Sequence, residues 1–318
     1  MNPPPFLISF PNAESLKAAL QPDVREAYWS QVEHLIAQGF PPAVSVRVLA
    51  CLFGFSSNFV GALRRRPHRY YRTFVIRKGK KQREIHAPKV ALKVIQKWFS
   101  FHLAEKLKFD DAVYGFIPGR SAPQAAAVHS GATWVYSLDI ANFFPTTSQQ
   151  RVAAALTGIG YQAHAAEFVS TLCCYLGNLA QGSPASPVLS NLVFSPYDKL
   201  LQQIAAETGS RYTRYADDIV FSGTGEPPAN IAEHVRKVVT DAGWAISEGK
   251  ERLAVLPNRL KVHGLLVHGQ TPRLTKGYRN RIRAFTHLMQ KGKVSPDDVP
   301  RFAGHLSYAK SVQNLNLE

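Results

Sequence analysis

The spacing of hydrophobic positions predicts a chain of mixed helices and strands. In several segments apolar residues recur every three or four positions, as on one face of a helix. The predicted helices are residues 13–20, 24–38, 42–53, 90–107, 124–129, 148–156, 186–206, 231–242, 276–290 and 296–310. Runs rich in β-branched and aromatic residues predict strands over 71–76, 83–85, 133–140, two within 211–222, and one over 260–267. Because helices and strands do not alternate regularly, we expect an α+β fold.

Three aspartates occupy conspicuous places in this pattern. Asp139 ends the strand over 133–140, and Asp217 and Asp218 sit in the tight turn predicted within 211–222. Adjacent carboxylates repel each other, and in a partly buried site one of them would bind a proton unless a cation were present. Oxygen ligands of this kind suit Mg²⁺, which also uses water and substrate phosphates. We therefore expect a metal site if the fold brings Asp139 to the turn.

Composition places the chain among ordinary globular proteins. Of its 318 residues, 45% are hydrophobic and 19% are charged, which excludes disordered, collagen-like and coiled-coil classes. A run of about 18 apolar residues is missing, and the N-terminal segment does not resemble a signal peptide, so we expect no membrane association. Three cysteines, two of them adjacent, indicate a reducing compartment. These features predict a cytoplasmic protein.

Charge narrows the choice of partner. The net charge is +16, which favours a polyanion such as nucleic acid. Residues 62–100 contain thirteen Lys or Arg and one acid, whereas 245–318 contain thirteen Lys or Arg and five acids. The residues outside these two regions together carry a small net negative charge. We therefore expect two basic lobes that bind a phosphate backbone, with an acidic reaction site between them in the sequence. The alternative is that both basic regions are ordinary solvated surfaces.

The residues around the aspartates resemble those of a known family. The acidic turn is preceded by Tyr215 and Ala216, and Tyr-Ala-Asp-Asp resembles the signature hairpin of reverse transcriptases. An isolated Asp-Asp pair would indicate only a turn, but further segments agree with this family in the same order. These are 77–88 (fingers hairpin), 138–145 (first aspartate and downstream aromatic), 181–191 (QGSPASPVLSN) and 260–267 (primer-gripping strand). The resemblance spans roughly residues 65–315.

The resemblance implies a right-hand polymerase fold with fingers, a palm built on an antiparallel sheet with helices, and a helical thumb. The implied boundaries are an N-terminal helical region over 1–60, fingers over 61–130, a palm over 131–245 and a thumb over 246–318. Residues 131–150 would lead from the fingers into the palm.

It also implies roles for individual residues. Asp139, Asp217 and Asp218 would be catalytic and, with Ile140, would hold two Mg²⁺ ions, for which Mn²⁺ could substitute. The residues implied to bind the incoming dNTP are Lys78, Arg83, Phe144 and Gln181. Lys78 and Arg83 would contact its triphosphate, Gln181 would pack near it, and Gly182 would allow close backbone approach. Phe144 would exclude a ribose 2′-hydroxyl, a role for which Phe143 competes.

Within this family the chain resembles bacterial retron reverse transcriptases. It is short, without an evident nuclease or maturase extension. Ala126 and His129 match the retron Asn-Ala-x-x-His segment, with Ala125 in place of Asn. Residues 262–264 match Val-Thr-Gly, with His263 in place of Thr before Gly264. We therefore expect RNA or primer contacts from His129, His263 and Gly264.

The retron resemblance implies a specific reaction and specific partners. The enzyme would copy a cognate structured noncoding RNA, priming from the 2′-hydroxyl of an internal guanosine, to give branched RNA–DNA (msDNA). A separate effector protein would act with it in defence against phage. Arg279 and Arg283, among the basic residues of the predicted thumb, would hold the RNA stem, largely through shape and phosphate contacts.

Two alternatives stay open from sequence alone. One is a reverse transcriptase of another bacterial class, of the diversity-generating or abortive-infection type. The other is a nucleic-acid-binding scaffold that restrains a toxin, although the intact aspartates disfavour it because clustered acids are electrostatically costly.

Overall fold

A computed structural model describes residues 4–78 and 81–315. The chain forms two compact units, one comprising 1–109 and 142–195 and the other 110–141 and 196–318. The sequence-derived boundaries of fingers, palm and thumb stay a prediction. Among the described residues, none of the helices is both long enough and apolar enough to cross a membrane.

The elements follow one another in an irregular α and β order. The helices are α1 Ala13–Ala19, α2 Pro22–Gln38, α3 Val46–Phe53, α4 Ser57–Arg65, α5 Val90–Lys106, α6 Ala122–Val128, α7 Phe143–Thr146, α8 Gln149–Gly158, α9 Ala163–Cys173, α10 Ser186–Glu207, α11 Ile231–Asp241, α12 Lys276–Gln290 and α13 Val299–Asn314. The strands are β1 Tyr71–Lys78, β2 Lys81–Pro88, β3 Trp134–Asp139, β4 Cys174–Tyr175, β5 Asn178–Leu179, β6 Arg211–Tyr215, β7 Asp218–Gly223, β8 Arg252–Val255, β9 Lys261–Val262, β10 Leu265–Leu266 and β11 Arg273–Leu274. Short 3-10 helices cover Pro67–Arg69 and Pro296–Asp298.

Among the described residues of the first unit, the strands form two hairpins, β1–β2 and β4–β5, and the other regular elements are helices. Helix α3 is capped at both ends: the Ser45 hydroxyl accepts from the Val48 N–H at its start, and Gly54 ends it in the left-handed conformation. Trp98 on α5 is fully buried, and its indole N–H donates to the Phe6 carbonyl at 3.0 Å. These contacts fix α5, which follows directly on the β1–β2 hairpin.

The second unit is built on an antiparallel sheet of four strands in the order β6-β7-β3-β8. Val135 and Val220 are buried on this sheet and belong to a hydrophobic cluster with Val262, Leu265 and Val312. Burial of such side chains is the main favourable term in folding. The cluster joins the sheet to the β9–β10 hairpin and to α13.

The segment 260–267 differs from its prediction. It forms the β9–β10 hairpin rather than one strand, with Val262 opposite Leu265. His263 and Gly264 make the two-residue turn, both at positive φ (48° and 84°). Such φ values give the turn the twist that a tight hairpin requires, and glycine adopts them without strain. The prediction of a single strand was therefore wrong.

Candidate active site

The four-stranded sheet of the second unit brings the three aspartates together. Asp139 is the last residue of β3 and lies directly opposite Asp218, the first residue of β7. Asp217 is the second residue of the two-residue turn between β6 and β7, and Asp218 follows it as the first residue of β7. The Ile140 N–H donates to the Asp217 carbonyl at 2.9 Å, which ties the end of β3 to this turn. The fold thus brings together four of the residues predicted from sequence.

A glycine allows the turn to be covered closely. Ala216 adopts a left-handed conformation (φ 58°), which is uncommon for a residue with a side chain. A Cβ placed on Gly115 would lie 2.2 Å from the Ala216 nitrogen, so only glycine fits there without displacement. Nothing in the sequence pattern predicts this contact; Gly115 itself is the only local signal for it.

Two residues that sequence reasoning missed hold the Asp139 carboxylate. The Ser247 hydroxyl donates to Oδ1, and the Lys250 ammonium donates to Oδ2. The Ser247 N–H also donates to the Asp139 carbonyl, at 2.8 Å. Both residues lie more than 100 positions further along the chain, and no local motif marked them.

The electrostatics around Asp139, Asp217 and Asp218 favour a bound cation. Burial raises the pKa of Asp217, and the charge of Asp139 raises it further, with a smaller contribution from Asp218. Within residues 4–78 and 81–315, no group of three or more His, Cys, Asp or Glu side chains is arranged to hold a metal. Two carboxylates still fit Mg²⁺, which typically binds through one or two carboxylates together with water and substrate phosphates. The donors at Asp139 and Asp217 are therefore chemically suited to it.

His263, in the β9–β10 turn, lies next to the three aspartates. Its Nδ1 lies 3.7 Å from Asp218 Oδ2, and its ring centroid lies 5.3 Å from that of Tyr215. Its Nε2 is buried without a hydrogen-bond partner among the described residues. Gly264 beside it is exposed, and a Cβ there would meet open space. The turn thus adjoins the aspartates, while its contact with RNA or primer stays a prediction.

His129 occupies a different environment from the one predicted. Its side chain is fully buried, with Nδ1 2.7 Å from the Ser222 hydroxyl and Nε2 2.7 Å from the Thr213 hydroxyl. Burial, followed by the charges of Arg211 and His263, lowers its pKa to about 3. The ring is therefore neutral near pH 7, and both of its nitrogens are occupied. This corrects the expected direct RNA contact: His129 joins β6 and β7 from inside the unit.

The predicted nucleotide-binding residues of the first unit lie on and beside the β1–β2 hairpin. Arg83 is exposed on β2, whereas the side chain of Lys78 lies outside the described residues. The Gln181 carbonyl accepts from the His86 N–H at 2.8 Å. At Gly182 (φ 125°), a Cβ would lie 2.9 Å from Ile85 Cγ2 and 3.0 Å from the His86 carbonyl oxygen. Gly182 therefore lies close against β2, while its approach to a nucleotide stays a prediction.

The two adjacent phenylalanines of α7 are buried to different extents. Phe143 is 5% exposed and packs edge-on against Phe194, with centroids 5.7 Å apart. Phe144 is only partly buried. Phe143 therefore belongs to the core, which leaves Phe144 as the candidate for contact with a nucleotide.

Helix α12 separates its apolar and basic faces. Tyr278 and Ile282 pack against the cluster of the second unit, and Phe285 stacks on Phe302 of α13 with centroids 4.0 Å apart. Arg279 and Arg283 are both exposed and lie one helical turn apart, outside these packed positions. The geometry leaves both guanidinium groups directed toward solvent, where they can meet a phosphate backbone.

Comparison with known families defines the class of protein. The family described as reverse transcriptase (RNA-dependent DNA polymerase) matches residues 76–279, more than half of the chain, and this range contains all three aspartates. The chain belongs to the reverse transcriptase family. It therefore has the α+β right-hand polymerase fold, and it is an RNA-directed DNA polymerase, a nucleotidyltransferase that takes RNA as template.

Its similar proteins within that family are retron enzymes. It is 29% identical to the Retron Ec86 reverse transcriptase of Escherichia coli over 248 residues, 77% of each chain. It is 30% identical to the Retron Mx65 enzyme of Myxococcus xanthus over 308 residues, 87% of this chain and 70% of that one. It is 31% identical to the Retron Mx162 enzyme of the same organism over 250 residues, 67% of this chain but 51% of that one. These similarities group the chain with the retron reverse transcriptases.

Solved structures of more distant polymerases also align. A telomerase from Candida albicans, in complex with a fragment of telomeric RNA, has a TM-score of 0.47 and 11% identity, covering 70% of this chain and 50% of that one. A foamy viral protease–reverse transcriptase in complex with double-stranded DNA has a TM-score of 0.43 and 16% identity, covering 75% and 36%.

Proposed function

We propose that this reverse transcriptase copies part of a cognate structured noncoding RNA into DNA, priming from the 2′-hydroxyl of an internal guanosine. The product is a branched RNA–DNA molecule, msDNA. The observation that carries the proposal is the grouping of Asp139, Asp217 and Asp218 at one end of the sheet, in a chain whose similar proteins are named as retron enzymes.

Asp139 and Asp217 would hold two Mg²⁺ ions, with the Ile140 carbonyl and Asp218 in support, and Mn²⁺ could replace them. When bound, such a pair of ions activates the attacking hydroxyl and stabilises the leaving pyrophosphate. The observation in favour is the raised pKa of Asp217, caused by burial and by Asp139, because a cation relieves this repulsion. Ser247 would keep Asp139 oriented through its bond to Oδ1.

Residues of the first unit would bind the incoming dNTP. Arg83 and Lys78 would contact its triphosphate, since guanidinium and ammonium groups form strong charge-assisted bonds with phosphate. Gln181 would pack near the nucleotide. Phe144 would occupy the space of a ribose 2′-hydroxyl and so exclude ribonucleotides, consistent with its partial exposure beside the buried Phe143.

The second unit would hold the RNA. Arg279 and Arg283 are exposed on one face of α12 and would contact backbone phosphates of an RNA stem. His263 and Gly264, in the turn next to Asp218, would lie against the primer end. His129 would support this region only from inside, through Ser222 and Thr213.

The retron assignment also leads us to propose a separate effector protein as partner, with msDNA synthesis serving defence against phage. Such an effector would bind the complex of protein and msDNA, and its loss would abolish protection while leaving DNA synthesis intact. Phage plating on cells with and without the neighbouring genes measures the loss of protection, and the msDNA recovered from the same cells shows whether DNA synthesis is intact.

The direct test is the nucleic acid that co-purifies with the protein expressed from its native locus. It would be run on a denaturing gel before and after RNase and debranching enzyme, and then sequenced, with Asp217→Asn as the matched control. We expect a discrete DNA that shifts after both treatments and is absent from the variant. Linear DNA insensitive to both treatments would contradict 2′-primed synthesis, and RNA without DNA would contradict synthesis altogether.

A further inference from the structure

A buried ion pair adjoins the turn that carries Asp217. Arg214 of β6 and Asp198 of α10 are 0% and 1% exposed, respectively. Arg214 donates from Nε to Asp198 Oδ1 and from Nη2 to Asp198 Oδ2, both at 2.7 Å. The Tyr212 hydroxyl also donates to Oδ1, at 2.7 Å. The guanidinium and the carboxylate therefore meet as a two-pronged fork in the interior of the second unit.

Such a pair is not explained by stability alone. Removing two charges from water costs more than their attraction commonly returns, and well-packed apolar residues stabilise an interior at least as well. Burial lowers the pKa of Arg214, but the Asp198 carboxylate outweighs this and raises it overall, so the guanidinium keeps its charge in the interior. A buried charged fork next to an active site therefore suggests a positioning role.

A further hydrogen bond of the Arg214 side chain reaches the turn that carries Asp217. Its Nη1 donates to the Ala216 carbonyl oxygen at 3.0 Å. That carbonyl belongs to the peptide bond that joins Ala216 to Asp217, so this bond fixes the peptide plane immediately before Asp217. Ala216 itself has φ 58°, a conformation that residues with a side chain rarely adopt and that needs support from its surroundings.

The main chain of Arg214 is held as firmly as its side chain. Its N–H donates to the Ala112 carbonyl and its carbonyl accepts from the Tyr114 N–H, both at 2.8 Å. Gly115, which follows Tyr114, packs so closely against the nitrogen of Ala216 that a Cβ would not fit there. The loop over 112–115 and the guanidinium of Arg214 thus hold the turn from two sides.

We infer that Arg214, oriented by Asp198, is a positioning residue that sets the backbone of Asp217 for metal binding and catalysis. The inference rests on the proposed metal-binding role of Asp217. It assigns no contact between Arg214 and substrate. Its consequence is that weakening the fork should reduce metal affinity and turnover together, while RNA binding stays unchanged.

Arg214→Lys is the first test, because lysine keeps the charge but cannot form the fork and reach the Ala216 carbonyl at once. We expect kcat to fall at least tenfold, with the KM for dNTP and the Kd for RNA within twofold of wild type. Mn²⁺ binding to the free protein, followed by electron paramagnetic resonance, should weaken at least threefold. Arg236→Lys, in the partly exposed pair with Glu251, is the matched control and should alter none of these values.

A second variant covers the case in which a buried lysine prevents folding. The double change Asp198→Asn with Arg214→Gln removes both charges and leaves two amides that can bond to each other. It should fold, but its shorter glutamine should not reach the Ala216 carbonyl, so kcat and Mn²⁺ affinity should again fall. A folded variant of either kind with wild-type kcat and Mn²⁺ affinity overturns the inference.

Two further measurements separate this inference from its alternatives. If activity recovers fully when each variant is assayed equally far below its own Tm, Arg214 contributes only stability and the inference fails. Asp217→Asn is assayed in parallel: if it retains DNA synthesis, the proposed site itself fails. If Asp217→Asn is inactive and the Arg214 variants match wild type, only the positioning role fails.

Discussion

Lys250 forms an ion pair with Asp139, although it lies 111 positions further along the chain. The Asp139 side chain is 9% exposed, so its carboxylate is largely withdrawn from solvent. The Lys250 charge also lowers the pKa of Asp217, against the effects of burial and of Asp139. In the metal-free protein this lysine therefore supplies the positive charge that the aspartates need.

Removing that charge should strengthen metal binding. A cation about 4 Å from a carboxylate contributes several kcal/mol at intermediate dielectric, and solvent screening of the partly exposed Lys250 reduces this to about 1.4 kcal/mol. Lys250→Met should therefore bind Mn²⁺ roughly tenfold more tightly than wild type, measured by electron paramagnetic resonance without RNA. Lys237→Met, in the exposed pair with Asp241, is the control, and unchanged or weaker binding to the Lys250 variant would refute the prediction.

Phe143 and Phe144 should respond differently to truncation. Phe143→Ala should lower the free energy of unfolding by about 3–5 kcal/mol, because it empties a buried position. Phe144→Ala should leave stability within about 1.5 kcal/mol, since its ring is only partly buried. It should raise ribonucleotide incorporation roughly tenfold relative to dNTP, as expected if a clash of about 1.4 kcal/mol is removed. Urea unfolding and single-nucleotide incorporation measure the two effects; unchanged sugar selectivity in Phe144→Ala would exclude it as the steric gate.

RNA binding should depend steeply on salt. Each neutralised phosphate contributes about −0.7 to −0.9 to the slope of log K against log salt concentration. The double variant Arg279→Gln with Arg283→Gln should therefore flatten the slope by roughly 1.4 to 1.8 without changing the fold. The same double change at Arg64 and Arg65 of α4 serves as a comparison from the other basic region. An unaltered slope in the α12 variant would show that this helix face does not contact phosphate.

The buried His129 should make the protein less stable in acid. Its pKa is lowered from 6.5 to about 3 in the folded state, so between these values the unfolded chain binds more protons than the native one. Stability from this group is fully present above pH 6.5 and is lost as the pH falls toward 3. The loss approaches about 1.4 kcal/mol per pH unit.

A variant without this titration isolates the effect. His129→Gln should be less stable than wild type at pH 7, but its stability should fall less between pH 6.5 and 4.5. Urea unfolding across that range measures the difference, with exposed His268→Gln as control. Parallel pH dependences for wild type and His129→Gln would mean that the ring is accessible to protons in the folded protein.

Local patterns predicted much of this fold. Helix α12 spans 276–290 as predicted, because its apolar positions recur at helical spacing and Thr275 caps its start. The strand ending at Asp139 and the hairpin around Asp217 were also predicted from residue types and turn chemistry. Helix α4, in contrast, was not predicted, although the Ser56 hydroxyl caps it through the Phe59 N–H.

The remaining features depend on contacts that sequence spacing does not encode. Residues 260–267 are rich in apolar residues, as a single strand would be, and only the paired positive φ values at His263 and Gly264 reveal a turn. The bond from Lys250 to Asp139 joins distant segments of chain. His129 was assigned to RNA by resemblance, but its two bonds to buried hydroxyls arise from packing against β6 and β7.

The central claim is that Asp217 is a metal-binding carboxylate of an RNA-directed DNA polymerase. Its most direct test is the rate of DNA synthesis by Asp217→Asn on an RNA template, measured beside its affinity for that RNA. The variant loses a metal ligand and no basic contact, so we predict a fall in kcat of at least about a hundredfold with an RNA Kd within twofold of wild type. Asp241→Asn, an exposed aspartate on α11, should match wild type in both. DNA synthesis at the wild-type rate by Asp217→Asn would contradict the account.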